Sequence, residues 1–293
     1  MKILNFGSLN IDYTYQVDHF VRPGETEASK SRMTACGGKG LNQSIALARS
    51  GAGVFHAGAV GKQDGGILLD ALKRAGVDTT YVQQMNDTPS GSAFIQVNSQ
   101  GENCIILDGG ANQAISRAYA DDVLSHFAKG DWLILQNEIS EIPYIMEKAH
   151  AIGMTIVLNP SPMNESVLKM PLDYVDYFLL NENEAAVLGS VEDTVEELKQ
   201  RFPHAVLVIT YGADGALWVK GEEIIRQEAF RVTAVDTVGA GDTFTGYLIG
   251  SLAQGVNPKE AMRLASKASA ISVTRKGASD SIPLLAEVND ALD

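Results

Sequence analysis

Cysteine is nearly missing from this chain: Cys36 and Cys104 are the only two in 293 residues. Two isolated thiols build no disulfide scaffold and have no metal-ligand spacing. Basic residues are scarce as well, 23 against 36 acidic ones, for a formal net charge of −13. That balance excludes the positive footprint that nucleic acid or an anionic membrane surface requires. No apolar run approaches the roughly 20 residues that span a bilayer. Met1 to Gly7 enters a strand-like run with no signal-peptide core, so a cytoplasmic location is expected. Two nucleotide fingerprints are lacking too. Gly58-Ala59-Val60-Gly61-Lys62-Gln63 has neither the spacing nor the hydroxyl of a Walker A loop. Neither Gly239-Ala240-Gly241 nor Gly38-Lys39-Gly40 carries the third glycine of a dinucleotide-binding turn.

What the chain does have is a small-residue turn running into an apolar helical face. Asp236-Thr237-Val238-Gly239-Ala240-Gly241-Asp242-Thr243-Phe244 is followed by Leu248 and Leu252, so Phe244, Leu248 and Leu252 recur at i, i+4 and i+8. Gly239, Ala240 and Gly241 leave the first N–H groups of that helix uncovered, at the end where the dipole attracts anions. Asp242 falls beside that anion cradle, an unfavourable place for a carboxylate unless it acts on a hydroxyl attacking a phosphoryl group. Taken alone, the segment equally fits an N-cap aspartate after a tight turn. A second loop stands upstream, Gly37-Gly38-Lys39-Gly40-Leu41-Asn42-Gln43, opening a helix with Leu41, Ile45 and Ala48 on its core face. Its glycines permit close approach of another group, and the Asn42 amide both donates and accepts.

Elsewhere short apolar runs alternate with helical patterns. Residues 2–7, 54–60, 131–136, 155–159, 177–180 and 206–210 read as strands, with helices between them over 66–75, 143–151 and 194–202. This alternation predicts an α/β fold, a doubly wound, mostly parallel sheet with helices on both faces. Its ligands gather at the carboxyl ends of the strands. Residues 11–35 and 89–108 read instead as extended segments, the second containing a hairpin from Ser92–Val97 and Asn103–Leu107. The expected division is a large body over residues 1–10, 36–88 and 109–293 and a small β lid over 11–35 and 89–108. A lid open on one face predicts a homodimer.

The two loops, in this order, resemble the two signatures of the PfkB sugar kinases, and in particular those of the ribokinases. The likeness extends to Gly7-Ser8-Leu9-Asn10-Ile11-Asp12, Gly110-Ala111-Asn112, Asn181-Glu182-Asn183-Glu184 and Val273-Thr274-Arg275-Lys276-Gly277-Ala278. It implies transfer of the γ-phosphoryl of ATP to the 5-hydroxyl of D-ribose, with Asp242 as general base and the backbone of Gly239, Ala240 and Gly241 as anion hole. The implied sugar contacts are Asn10, Asp12, Gly38, Lys39, Asn42, Glu138 and Asp242. On the nucleotide side stand Asn181, Thr210, Tyr211, Gly212, Ala213, Asp214, Gly215, Gly241 and Ser266, the last where many ribokinases carry histidine. Glu184 is implied to hold Mg²⁺ through water, although Asn181 and Glu184 also fit a helix-capping pattern. Asp236, Val238, Ser272, Arg275, Gly277 and Ser281 match the positions of a K⁺ site, mostly through backbone carbonyls. Fructokinase, deoxyribokinase, nucleoside kinase and catalytically silent sugar-binding readings remain open at this point.

Overall fold

In the computed structural model of the chain, which describes residues 1–189 and 194–291, the strands pair into two sheets. They are β1 (Ile3–Phe6), β2 (Asn10–Gln16), β3 (Ser31–Gly37), β4 (Val54–Gly61), β5 (Asp78–Met85), β6 (Gly91–Val97) and β7 (Asn103–Asp108). Then follow β8 (Trp132–Gln136), β9 (Thr155–Asn159), β10 (Tyr177–Asn181), β11 (Val206–Thr210), β12 (Ala216–Lys220) and β13 (Glu223–Gln227). The helices are α1 (Lys39–Arg49), α2 (Gly66–Arg74), α3 (Arg117–Leu124), α4 (Ile142–Ile152), α5 (Glu182–Leu188), α6 (Thr194–Arg201), α7 (Ala240–Ala253), α8 (Pro258–Ser272) and α9 (Leu285–Asp290). The large body expected through residue 293 includes 190–193 and 292–293, which lie outside the described residues.

Nine strands form the larger sheet in the order β13-β12-β11-β10-β9-β8-β1-β4-β5. Seven of them run parallel, while β12 and β13 continue the β11 edge antiparallel. The expected doubly wound α/β sheet is therefore present, with the antiparallel β12 and β13 and the edge strand β5 that the apolar runs do not announce. The smaller sheet takes β3-β2-β6-β7, and its β6–β7 pair is the anticipated hairpin. Among the described residues no helix is long and apolar enough to cross a membrane.

Strand alternation sorts the core into two layers. Leu4, Phe6, Leu133, Leu135, Ile156, Leu158, Phe178 and Leu180 pack on one face with Ile145 and Met146 of α4. Ile3, Val54, Ile134, Val157, Leu179 and Val208 pack on the other with Leu41 and Ile45 of α1 and with Phe244, Leu248 and Met262 of α7 and α8. Each buried leucine of these layers contributes about 1.5–3 kcal/mol. The period of two carries a consequence for the site. Gln136, Asn159, Asn181 and Thr210 end their strands two residues beyond Ile134, Val157, Leu179 and Val208, so all four share the α1/α7 side. The strand order reverses at β1, the topological switch point at which such sheets bind ligands.

Helices α1 and α7 approach each other closely because Gly246 lacks a side chain. A Cβ there would fall 2.8 Å from the Leu47 backbone nitrogen. This contact carries the first turn of α7 to the first turn of α1.

Candidate active site

Asp242 occupies the first turn of α7, whose N-cap residue Gly239 is left-handed at φ 74°. The first helical hydrogen bond runs from Thr243 N–H to Gly239 O at 2.9 Å. The N–H groups of Gly241 and Asp242 precede it and have no acceptor within the helix. Ala240 N–H turns back to Thr237 O at 3.3 Å. The Asp242 carboxylate is 6% exposed. Its Oδ2 accepts from Asn42 Nδ2 at 3.0 Å and its Oδ1 from Gln43 Nε2 at 2.9 Å. Among the described residues it forms no ion pair, so two amide donors compensate for the burial of the charge.

A cavity of about 240 Å³ opens on this turn, lined also by Lys39, Asn159, Asn181, Glu184 and Thr210. Burial disfavours a charged Lys39, but Asp242, Glu138 and Glu184 together outweigh it and hold the ammonium above the ordinary lysine range. Asn181 and Glu184 form a complete capping box at the start of α5. Asn181 Oδ1 accepts from Glu184 N–H at 2.8 Å, and Glu184 Oε2 accepts from Asn181 N–H at 2.9 Å. The capping pattern is thus real, and it leaves the buried Glu184 carboxylate on the cavity wall.

On the smaller-sheet side, Glu138 Oε2 accepts from the Ser8 hydroxyl and from Lys39 N–H at 2.9 Å. Asn10 Oδ1 accepts from Asn112 Nδ2 at 2.7 Å, which turns the Asn10 amide nitrogen outward from that pair. The Asp12 carboxyl folds over Gly37, where a side chain would have no room. Burial, and then the charge of Glu138, push Asp12 up to about 7; burial also raises Glu138. Asp12 and Glu138 thus face each other as two acceptor groups, Glu138 also lying near the Lys39 ammonium, a donor and acceptor set suited to hydroxyls.

The segment after β11 closes on itself through Tyr211 N–H to Gly215 O at 2.8 Å, presenting Gly212, Ala213 and Asp214 as one turn of 3₁₀ helix. Ser266 is buried in α8 and does not line the cavity. Asp236 clamps two turns together: Oδ1 accepts from Val238 N–H at 3.0 Å and Oδ2 from Gly277 N–H at 2.9 Å. Val235 and Asp236 N–H both meet Val273 O. Gly239 also packs on Ala278, so this clamp adjoins the α7 turn. Arg275 is directed elsewhere, pairing with Glu287. Ser272 O accepts from Arg275 N–H, and the Ser281 hydroxyl donates to Ala278 O.

Two polar residues at the centre of this geometry, Asn5 and Gln136, do not stand out in the sequence, while Ser8, Gln43, Asn112 and Asn159 do so only as members of longer segments, with no role of their own. Ser8, Asn112, Gln43, Gln136, Asn5 and Asn159 all bond to site residues or to one another. The signal available was a polar residue within or ending an otherwise apolar strand run, as in Asn5, Gln136 and Asn159.

Residues 1–285 match the pfkB family carbohydrate kinase. The ribokinase of Bacillus subtilis is 37% identical over 294 aligned positions, covering 99% of either chain. The deoxyribokinase of Salmonella typhi is 32% identical over 100% of this chain and 99% of its own. Among solved structures, Arabidopsis thaliana ribokinase complexed with ribose and ATP superposes with a TM-score of 0.88 at 27% identity, covering 100% of this chain and 98% of that one. The chain belongs to the pfkB family of carbohydrate kinases. It is an enzyme that phosphorylates a sugar hydroxyl.

Proposed function

We propose that the chain transfers the γ-phosphoryl group of ATP to the 5-hydroxyl of D-ribose, the activity of a ribokinase. The observation that carries this reading is the buried, amide-held Asp242 carboxylate on the Gly239–Gly241 turn, where the N–H groups of Gly241 and Asp242 have no acceptor within the helix. Asn10, Asp12, Gly38, Lys39, Asn42 and Glu138 hold the sugar. Asp242 accepts the proton of the 5-hydroxyl as its oxygen bonds to the γ-phosphorus, and the bond from that phosphorus to the β–γ bridging oxygen breaks to release ADP. The N–H groups at the α7 terminus receive the charge on the transferring group, a contribution of a few kcal/mol per donor.

Asn181, Thr210 to Gly215, Gly241 and Ser266 serve the nucleotide. Glu184, a buried carboxylate on the cavity wall, would hold Mg²⁺ through water, and the bound ion supplies charge neutralisation on the phosphates. Each Asp236 oxygen retains a lone pair beyond its loop bond, which suits K⁺ ligation together with carbonyls of Val238, Ser272, Arg275, Gly277 and Ser281. The reading also includes a cytoplasmic location and a homodimer in which the smaller sheet, acting as a lid, meets its counterpart. Met33, Ile105, Ile106 and Leu107 are exposed on that sheet.

The ribose assignment draws on the Bacillus subtilis relative and on the ribose and ATP named for the Arabidopsis structure. A deoxyribokinase is the second reading, favoured by the full-length Salmonella typhi relative. Coupled ADP release measured with ribose, deoxyribose, fructose and adenosine decides between them. The highest kcat/KM is expected with ribose, and a preference for deoxyribose selects the second reading. No sugar-dependent ADP release with any of these would overturn both.

A further inference from the structure

Behind Asp242 lies a run of buried side-chain amides that do not line the cavity. Gln43 and Gln136 are 0% and 1% exposed. Both N–H protons of the Gln43 amide are committed, and its oxygen has a donor. Its nitrogen donates to Asp242 Oδ1 at 2.9 Å and to Asn159 Oδ1 at 3.2 Å, and its oxygen accepts from Gln136 Nε2 at 2.7 Å. Gln136 Nε2 spends its other proton on Asn5 Oδ1 at 2.9 Å. Asn5 Nδ2 then donates to Gly40 O and to Ser44 Oγ, both at 2.8 Å.

The direction of the run is set by acceptor-only groups, Gly40 O at one end and, at the other, the Asp242 carboxylate and an Asn159 oriented by Leu179 O. Gly40 O is a backbone carbonyl and can only accept, so the nitrogen of Asn5 must face it. The Asn5 oxygen must then face Gln136, whose nitrogen is thereby aimed at the Gln43 oxygen. That leaves the Gln43 nitrogen to face Asp242. A flipped Gln43 would set an amide oxygen against the carboxylate and an amide nitrogen against the nitrogen of Gln136. We infer that Gln136 is a positioning residue for phosphoryl transfer, acting through Gln43 to fix the orientation of the Asp242 carboxylate. The inference rests on the kinase reading given above.

The charged groups around Asp242 differ in kind from this run. Lys39 and Glu138 act on it through space and leave its rotation about the carboxyl axis undetermined. Asn42 holds only Oδ2. Gln43 supplies the second point that a planar group needs for a defined orientation. Small misplacements of a catalytic group can cost on the order of a hundredfold in rate, so a relay of this kind acts on kcat rather than on ligand binding.

The test is a double-mutant cycle in kcat with Gln43→Met, Gln136→Leu and the double variant, alongside both KM values and thermal midpoints. Gln43→Met is expected to lower kcat by about thirtyfold and Gln136→Leu by about tenfold, with the KM values for sugar and ATP within about twofold of the parent. The double variant should match Gln43→Met alone, because Gln136 has no route to Asp242 once Gln43 is gone. A folded Gln136→Leu enzyme with parental kcat, losses that multiply in the double variant, or losses confined to KM would each overturn the inference. If Gln136→Leu does not fold, Gln136→Met repeats the test. If neither folds, exchange of the Gln43 side-chain amide hydrogens in the wild-type protein decides: slow exchange supports the relay and solvent-rate exchange refutes it. A wild-type protein without sugar-dependent ADP release would sink the kinase reading instead, so the two failures are separable.

Discussion

The carboxyl group of Asp12 occupies the space that a side chain on Gly37 would require. The two residues sit on paired strands, Asp12 on β2 and Gly37 at the end of β3, so the sheet itself sets their contact. Gly37→Ala is therefore expected to displace the carboxyl and raise the sugar KM by roughly ten- to a hundredfold, the worth of a lost hydrogen bond to a charged group. The ATP KM should stay within about twofold, by the same argument that no nucleotide contact is lost. Steady-state kinetics in both substrates check this, and an equal rise in both KM values contradicts it.

Asp12 and His56 give stability opposite slopes with pH. Asp12 titrates at about 7 in the fold, against 3.8 for an unperturbed carboxyl, because of burial and then Glu138. Between those values the folded chain keeps a proton that the unfolded chain has released, so this group's stabilisation is full below the window and falls as pH rises through it. Burial pushes His56 down to about 4 from 6.5. Its contribution is full above 6.5 and is lost as pH falls toward 4, since the unfolded chain takes up the proton first. Asp12→Asn should consequently raise the thermal midpoint by a few degrees at pH 8 and not at pH 4. The midpoint deficit of His56→Asn should shrink over the same descent. Differences from wild type that do not vary with pH contradict both assignments.

Asp236 joins its own loop to the Gly277 turn through two backbone N–H groups. If the same carboxylate is also the charged ligand of K⁺, replacing K⁺ by Na⁺ lowers kcat severalfold in the wild type, and Asp236→Asn removes most of that dependence. Initial rates in matched chloride salts read this directly. An enzyme indifferent to the cation would leave Asp236 with its structural role alone.

The exposed Ile106 on β7 provides a handle on assembly. With the smaller sheet as the subunit contact, Ile106→Asp should shift the protein from dimer to monomer in light scattering at micromolar concentration, since a buried unpaired charge costs several kcal/mol. A dimer unaffected by the substitution contradicts a contact at this strand.

Much of the architecture is legible because β1, β8, β9, β10 and β11 bury apolar residues on both faces. β5 is not legible because Asp78-Thr79-Thr80-Tyr81-Val82-Gln83-Gln84-Met85 mixes polar residues through a half-exposed edge strand. β12 and β13 join through Gly221-Glu222, a two-residue turn lacking the Asn-Gly or Asp-Gly signal. At the site, Asp242 and Asn42 could be named because their glycine-rich neighbours drew attention to them. Gln43 stands in the same loop, but its partners, like those of Gln136 and Asn5, are not legible, because an amide inside an apolar strand or helix declares its partner only when residues far apart in sequence come together. Gln43 and Asp242 are 199 positions apart.

The most direct test of the account is Asp242→Asn, which keeps the shape of the side chain and removes its basicity. ATP and ribose should still bind within a few-fold of wild type by calorimetry, while sugar-dependent ADP release falls by a factor on the order of 10² to 10⁴. Wild-type turnover in that variant would contradict the assignment of Asp242 as the base.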